Sequence, residues 1–419
     1  IERTGTGVKR SGFHLLMGAQ FVSGLADNAL LLVAIAQVAA AGGPPWLPPL
    51  LKLAFTLAYV LLAPVVGPLA DRWPKARVMG AANAVKALAC AAMALGAPVT
   101  ACFCVAGAGA AVYSPAKYGL VTELVPAARL VAANGWIEVT TVLAILLGTV
   151  LGGGLSEPRF AAFGFAALLA LYGLAALLNL GIPDSGARYA AAPPLPRQWR
   201  AFWRDNARLW SDPLGQVSLA TTTLFWGVGA TLQFLVLRWA GEQLGLTLAQ
   251  AAYLQGLSAT GVVLGAALAG RWVPLARATQ VLPLGVALGL VVLLMQWVHQ
   301  WPAAALVLAT AGLLAGLFVV PMNALLQHRG STLLSAGRSV AVQNFNENAS
   351  VLLMLGGYAL CTGLDLGLGA LIRGFGVLVA GLMALIALRH RHLQRQPPAS
   401  LMPAPPTRAT ISTPCKDRP

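Results

Sequence analysis

The chain has 419 residues, of which 58% are hydrophobic and only 10% charged, and it carries a formal net charge of +15. A soluble globular protein is not this apolar. The basic balance does not point to nucleic acid either, because nearly all Lys and Arg fall in alternate loops between long apolar runs. Such runs, separated by short charged loops, make membrane-spanning helices, since barrel strands would alternate in polarity at every second residue.

A spanning helix needs roughly 20 mostly apolar residues. Twelve segments can be marked, near 14–40, 50–70, 78–96, 99–117, 132–155, 160–181, 217–240, 249–271, 279–298, 303–324, 339–361 and 368–388. The expected fold is therefore an all-α membrane protein with twelve transmembrane helices in two pseudo-symmetric six-helix bundles. The N-terminal bundle would cover 1–181, a linker 182–216, the C-terminal bundle 217–389 and a disordered tail 390–419. With the N-terminus in the cytoplasm, Arg3, Lys9, Arg10, Arg72, Lys75, Arg77, Lys117, Arg129, Arg271, Arg277, Arg329, Arg338, five linker arginines and the tail fall inside. Only Arg159, Arg238 and Arg373 fall outside, which places both termini in the cytoplasm. Trp46, Trp239, Trp272, Trp297 and Trp301 lie near segment ends and suit an interfacial belt.

The first segment carries Asp27 and Asn28 near its middle. It is long and no small-residue cleavage site follows it, so it reads as a span and not as a signal peptide. A charge at that depth must face a cavity or a partner, and Asp27 can line a transport path or form a structural ion pair. Between the second and third segments stands Gly67-Pro68-Leu69-Ala70-Asp71-Arg72-Trp73-Pro74-Lys75-Ala76-Arg77. It resembles the signature loop of the major facilitator superfamily, with Trp73-Pro74 in place of a glycine-containing turn. The resemblance implies a gating loop in which Gly67, Asp71, Arg72, Lys75 and Arg77 latch the bundles.

The fourth segment ends at Tyr113-Ser114-Pro115-Ala116-Lys117-Tyr118-Gly119, and the fifth holds Asn134 and Glu138. Four residues apart, these two share a helix face. Lys86 and Lys117 lie at similar depth and can pair with Glu138. In the linker, Trp199, Trp203 and Trp210 form one stripe and Arg200, Arg204 and Arg208 another. That is a basic amphipathic helix expected on the inner leaflet, as a strap between bundles or as a lipid sensor. The seventh segment brings Gln233, with Arg238 one to two turns on, which can bind phosphate or extend to the interface.

The arrangement of the fifth segment returns in the eleventh. Asn323 closes the tenth segment, Arg338 opens the next, and Gln343, Asn344 and Glu347 repeat the amide and carboxylate at the same spacing. Gly148 and Gly357 each follow their glutamate by ten residues. Other chemistry finds no support. There is no Gly-Lys-Ser/Thr phosphate loop, no histidine followed five residues later by aspartate, and no Gly-x-Ser-x-Gly. The five cysteines, Cys90, Cys102, Cys104, Cys361 and Cys415, have no metal or redox spacing, and the histidines sit at segment ends without a role. No catalytic residue, metal or cofactor is expected.

Ala26-Asp27-Asn28-Ala29-Leu30-Leu31, Ala111 to Gly119, Ala133-Asn134-Gly135-x-x-Glu138, Phe225-Trp226-Gly227-x-Gly229-x-Thr231-Leu232, Val320 to Gln327 and Gln343-Asn344-x-x-Glu347-Asn348 together resemble the bacterial lysophospholipid transporter family of the major facilitator superfamily. The likeness spans about 13–388. It implies a multi-pass carrier of the bacterial inner membrane that moves lysophosphatidylethanolamine and related lysolipids from outer to inner leaflet. There a cytoplasmic-side acyltransferase would take them over. By position, the family's polar transport residues fall on Asp27, Gln233 and Glu347, and members tend to carry a basic residue where this chain has Gln233. The headgroup would meet Asp27, Asn28, Asn134, Glu138, Gln233, Gln343, Asn344 and Glu347, with Lys86, Lys117 and Arg238 as charge partners. Sodium, protons or the lipid gradient can each supply the drive. A facilitator-type exporter of drugs or small metabolites and an intramembrane lipid-modifying enzyme using Asp27 and Glu138 are the alternatives.

Overall fold

The computed structural model describes residues 2–42, 47–187, 189 and 194–395. Trp46, Cys415 and the tail beyond 395 lie outside the described residues. The chain forms helices α1 (Glu2–Ala40), α2 (Leu47–Leu61), α3 (Ala63–Arg72), α4 (Lys75–Ala94), α5 (Val99–Leu124), α6 (Leu130–Leu155), α7 (Ala161–Leu180), α8 (Leu195–Ser211), α9 (Pro213–Leu244), α10 (Leu248–Trp272), α11 (Leu282–Leu294), α12 (Trp301–Leu333), α13 (Ala336–Gly363) and α14 (Leu368–Arg395), with short 3-10 turns between some of them. Prolines stand in the first turns of α3, α9, α11 and α12, where no intrahelical donor is needed. A Thr247–Gln250 capping box starts α10, and Gly245, at a φ of 64°, ends α9 in the left-handed conformation.

Helix occupies each of the twelve predicted places, with three differences. The span expected at 50–70 is broken into α2 and α3, bent by 65°. Pro64 lies just past the break and lacks the donor that would carry the helix through. Among the described residues, nine helices are long and apolar enough to cross a membrane, or ten with the bent pair counted as one. α4 and α13 fall outside that set because they carry buried polar groups, Asn83 and Lys86 in one and Gln343, Asn344 and Glu347 in the other. Finally, α14 continues to Arg395, so residues 390–395 are helical where a disordered tail was expected.

Packing repeats between the halves. α1 packs on α6 and α7 as α9 packs on α13 and α14, and α4 packs on α5 and α7 as α11 packs on α12 and α14. The two bundles meet along a seam made by α2, α3, α5 and α6 on one side and α10, α12 and α13 on the other. At the end bearing the basic loops, one apolar core runs through both bundles, from Leu16, Met79 and Leu120 to Ala266, Val319 and Ala324. Toward the opposite end the cores are separate, one around Leu30, Met93 and Tyr172 and the other around Leu235, Trp239 and Leu308. The molecule is therefore shut at its basic end.

Close backbone approach makes this closure possible. A Cβ on Gly67 would come within 2.9 Å of the Arg338 Cα, and one on Gly135 within 2.8 Å of the Ala266 carbonyl oxygen. The repeat fails at one glycine pair. Gly148 packs tightly on α1 at Leu25 and Asn28, whereas a Cβ on Gly357 would meet nothing within 4 Å.

The linker helix α8 does not simply rest on a leaflet. Phe202, Asp205 and Leu209 are buried, and Phe202 and Leu209 share a core with Ala63, Leu219, Leu326 and Val342 of both bundles. Phe345 of α13 stacks edge-on against Phe202 and Trp203, with ring centroids at 5.2 and 5.3 Å. After α8, Asp212 caps α9 by accepting from the Gly215 amide at 2.8 Å. It also takes a two-pronged bond from Arg329 at 2.9 and 2.6 Å. Partial burial would raise the Asp212 carboxyl, but the Arg329 and Gly215 bonds outweigh it and hold the group below the usual carboxylate range.

Gly67→Leu should force the basic end apart. Spin labels at the exposed positions 77 and 277 should then report a longer distance than in the unsubstituted chain. Asp212→Asn should lower stability at neutral pH by about 1 kcal/mol or less, because Arg329 is partly exposed. A lowered folded pKa contributes above the ordinary carboxylate pKa, about 4, and is lost as pH falls through the folded value. Thermal unfolding in detergent should therefore show the gap between the two proteins constant down to about pH 4 and vanishing below it.

Candidate functional site

At the basic end, Asp71 of α3 reaches across the seam to the start of α13. Its carboxylate accepts from the Gly337 amide at 2.9 Å, the Arg338 amide at 3.2 Å and the Ser335 hydroxyl. Ser335 itself makes no side-chain cap, so Asp71 satisfies donors that the helix leaves open. Lys75 holds Asp71 at 3.2 Å and Glu123 of α5 at 2.7 Å, all three buried. Tyr189 donates to Glu123 at 2.9 Å. The Arg338 side chain turns the other way, into an ion pair with Asp205 of α8, with its Nε donating at 2.7 Å. Of the predicted gating loop, Gly67, Asp71 and Lys75 are engaged. Arg72 and Arg77 are exposed, and Arg72 lies against the Trp73 ring.

Deeper along the seam is a polar layer. Asn134 of α6 and Gln327 of α12 exchange amide hydrogen bonds at 3.0 and 2.8 Å. Asn344 of α13 donates to Ser114 of α5 at 2.9 Å. One turn from each amide sits a buried carboxylate, Glu138 and Glu347. Glu347 accepts from Gln343 at 2.8 Å, and Gln343 also donates to Asn323 at 3.0 Å, which leaves its own oxygen without a partner among the described residues. Glu138 makes no ion pair among the described residues. Lys117, its ammonium 4.1 Å from the Tyr118 ring centroid, is within electrostatic reach of both glutamates.

The Asp27 constellation is separate and belongs to one bundle. Lys86 of α4 pairs with Asp27 at 2.6 Å and donates to Ser23 at 3.1 Å, while Tyr172 of α7 donates to Asp27 at 2.9 Å. Lys86 also lies 5.0 Å from the Tyr113 ring centroid. The expected pairing of Lys86 with Glu138 is thus corrected: α4 packs on α5 and α7, which aims Lys86 at α1 and not at α6. Asn28 bonds back to the Gly24 carbonyl of its own helix at 2.8 Å. Gln233 is exposed on α9, where its backbone carbonyl accepts from Gln255 at 2.8 Å. Arg238 is tied to Glu242 at 2.6 Å, so the structure does not bring Gln233 and Arg238 into the seam cluster.

Several residues here escaped the sequence reading. Gln327 and Ser114 stood inside recognised motifs, but their pairing across the seam needs the fold. Tyr172 is one aromatic in an apolar run and gives no signal. Gln20, whose amide donates to the Ile137 carbonyl and the Thr140 and Thr141 hydroxyls at 2.6 to 3.1 Å, is equally silent. Chemically, the layer offers two carboxylates, several amides and a lysine where two bundles touch, which suits a zwitterionic group carrying an ammonium and hydrogen-bonding oxygens.

The model of the Major Facilitator Superfamily matches residues 16–353. The lysophospholipid transporter LplT of Shigella flexneri serotype 5b (strain 8401) is 40% identical over 391 residues, 93% of this chain and 98% of that protein. LplT of Escherichia coli O157:H7 (strain EC4115 / EHEC) is 40% identical over 392 residues with the same coverage. Among solved structures, a bacterial homologue of the iron transporter ferroportin in an outward-facing state aligns with a TM-score of 0.70 at 15% identity, covering 92% of this chain and all 100% of that one. The transporter FucP in the outward conformation aligns at 0.69 and 16%, covering 91% and 98%. At such identities the structural likeness is one of fold.

The buried Asp27–Lys86 pair gives a test of its own. Lys86→Met should destabilise the protein by less than the roughly 3–5 kcal/mol of a fully buried pair, since the Asp27 carboxylate it leaves behind is 18% exposed. The double variant Lys86→Met/Asp27→Asn should recover most of that loss in thermal unfolding.

Proposed function

The chain belongs to the Major Facilitator Superfamily and, within it, to the lysophospholipid transporters, and from that premise we propose that it carries single-chain phospholipids across a bacterial inner membrane. Lysophosphatidylethanolamine is the foremost cargo, moving from outer to inner leaflet, with both chain termini and the basic end in the cytoplasm. A cytoplasmic-side acyltransferase then restores the second acyl chain. The protein acts as a secondary transporter, and no residue has a catalytic part.

The observation that carries this reading is the polar layer, where Asn134–Gln327 and Asn344–Ser114 bridge the bundles beside Glu138 and Glu347. A headgroup entering from the open end brings an ammonium to the carboxylates, and hydroxyl and phosphate groups to the amides. The amides can then exchange bonds across the seam for bonds to the cargo. Each neutral hydrogen bond contributes only about 0.5–1.5 kcal/mol net, so a headgroup making two or three of them offsets what the closed seam loses. The basic end then opens when loaded, because the cargo binds the seam-open state better than the closed one. Where an ion gradient is coupled to this movement, Asp27, Glu138 and Glu347 are the groups that would take sodium or a proton.

The experiment is leaflet transfer of labelled lysophosphatidylethanolamine in proteoliposomes. Glu138→Gln and Glu347→Gln should each lower the rate by about 10–100-fold, the loss of one charge-assisted bond of roughly 1.5–3 kcal/mol, with thermal unfolding unchanged or raised. Wild-type rates in both variants would refute the reading.

A further inference from the structure

We propose that the outward side of α8 is a binding surface for anionic phospholipids of the leaflet at the basic end. The helix has three faces. Phe202, Asp205 and Leu209 are buried against the bundles. Trp199 and Trp203 lie on one flank and are 48% and 50% exposed. Arg200 and Arg204 lie on the side away from the buried residues, Arg197 and Arg208 on the flank opposite the tryptophans, and all four are exposed.

None of these arginines has an ion-pair partner among the described residues, and the helix's one acidic group, Asp205, is already bound to Arg338. Four uncompensated guanidiniums on one helix repel one another until an anion neutralises them. The order of faces identifies the anion. Around the helix the buried face is flanked by indoles on one side and guanidiniums on the other, and a helix lying along a charged monolayer sets such indoles at the hydrocarbon boundary and such cations among the phosphates. A soluble protein partner would have no reason to require the tryptophans beside the lipid-facing bundle.

Beside α8 lies a cleft of about 330 Å³, lined by Pro64, Pro68 and Phe202 and by Arg204 and Arg338 together with Asp71 and Asp205, the two carboxylates already engaged by Lys75 and Arg338. It offers room for the glycerol end of one such lipid, with Arg204 free of an ion-pair partner among the described residues. The surface also bears on transport, a link that rests on the lysophospholipid reading above. Arg338 joins α8 through its side chain and Asp71 through its backbone amide, so lipid that steadies α8 steadies the closed seam.

The test uses the full chain in vesicles without lysolipid. Fluorescence from Trp199 and Trp203, isolated as the difference from Trp199→Phe/Trp203→Phe, is quenched by brominated phosphatidylglycerol or brominated phosphatidylcholine at equal mole fraction. Quenching by the anionic lipid should be about twofold stronger, as expected for a basic helix at a charged surface, and Arg197→Gln/Arg200→Gln/Arg204→Gln/Arg208→Gln should abolish the preference. Equal quenching in the wild type, or a preference that survives the four substitutions, overturns the proposal. Loss of the preference on adding inorganic phosphate at constant ionic strength assigns the face to a soluble anion and overturns it too. In the same vesicles with labelled lysolipid, transfer should depend on the anionic fraction in the wild type and not in the variant. Absence of any transfer would sink the transport reading and leave the quenching result to judge the surface.

Discussion

One carboxylate, that of Asp71, caps a helix belonging to the other half of the molecule. The first turn of α13 has amides that its own preceding residue does not satisfy, and Asp71 supplies the acceptor from α3. Charge favours the same contact, since a helix N-terminus is electropositive. Lys75, itself held by Glu123, keeps the carboxylate aimed, and the Gly67–Arg338 approach leaves no room for a side chain between them. Everything else at the seam follows from this registration: it sets Asn344 opposite Ser114, and it leaves the Arg338 side chain free to hold α8. A cap from a neighbouring bundle is also reversible. Opening exposes the first turn of α13 to water, which can take over the donors at a cost of about 1 kcal/mol, so the closure is firm without being permanent.

Polar groups in this apolar protein divide by whether their partner moves with them. Asp27, Lys86, Ser23, Asn83 and Tyr172 all belong to one bundle, so their bonds survive any rigid-body rocking of the halves. Gln20 likewise ties α1 to α6 within the bundle. The bonds of Asn134, Asn344 and Asp71 do not survive, since each spans the seam. A buried charge pair inside a bundle is a poor source of net stability, but here it keeps α1, α4 and α7 together as one rigid body, which alternating access requires. The neutral amides, individually weak, are placed where bonds must be exchanged.

Much of the architecture could be read from hydropathy, because helix in a bilayer is nearly compulsory for any long apolar run. Helix therefore stands at each predicted place, and the polar connection between the halves holds α8. The break at Leu62 was marked by Pro64 but could not be told from a tolerated helical proline such as Pro115 or Pro321. The site was legible as a set of residue types at depth and illegible as pairs. Spacing puts Asn134 and Glu138 on one face but cannot say that Gln327, not Lys86, meets that face. For α8 the pattern of tryptophans and arginines was plain, whereas Phe202, Asp205 and Leu209 gave no hint that a third face exists, because its partners lie far away in sequence.

The two glutamates look equivalent along the chain but not in space. Within its own bundle Glu347 has neutral partners among the described residues, the Gln343 amide, through it Asn323, and the Thr222 hydroxyl. Across the seam two fields reach it, the repulsion of Glu138 on α6 and the weaker attraction of Lys117 on α5. Glu138 shares a bundle with Lys117 and keeps that field whatever the halves do. When α5 and α13 part, Glu347 loses both fields, and in its ionised form it then carries the penalty of a carboxylate in a low-dielectric setting. A cationic headgroup lodged beside it removes the penalty. On the proposed cycle this difference leaves Glu347 dependent on the cargo for a counter-charge and Glu138 with Lys117 in its own bundle throughout, so that duplicated motifs do unlike work.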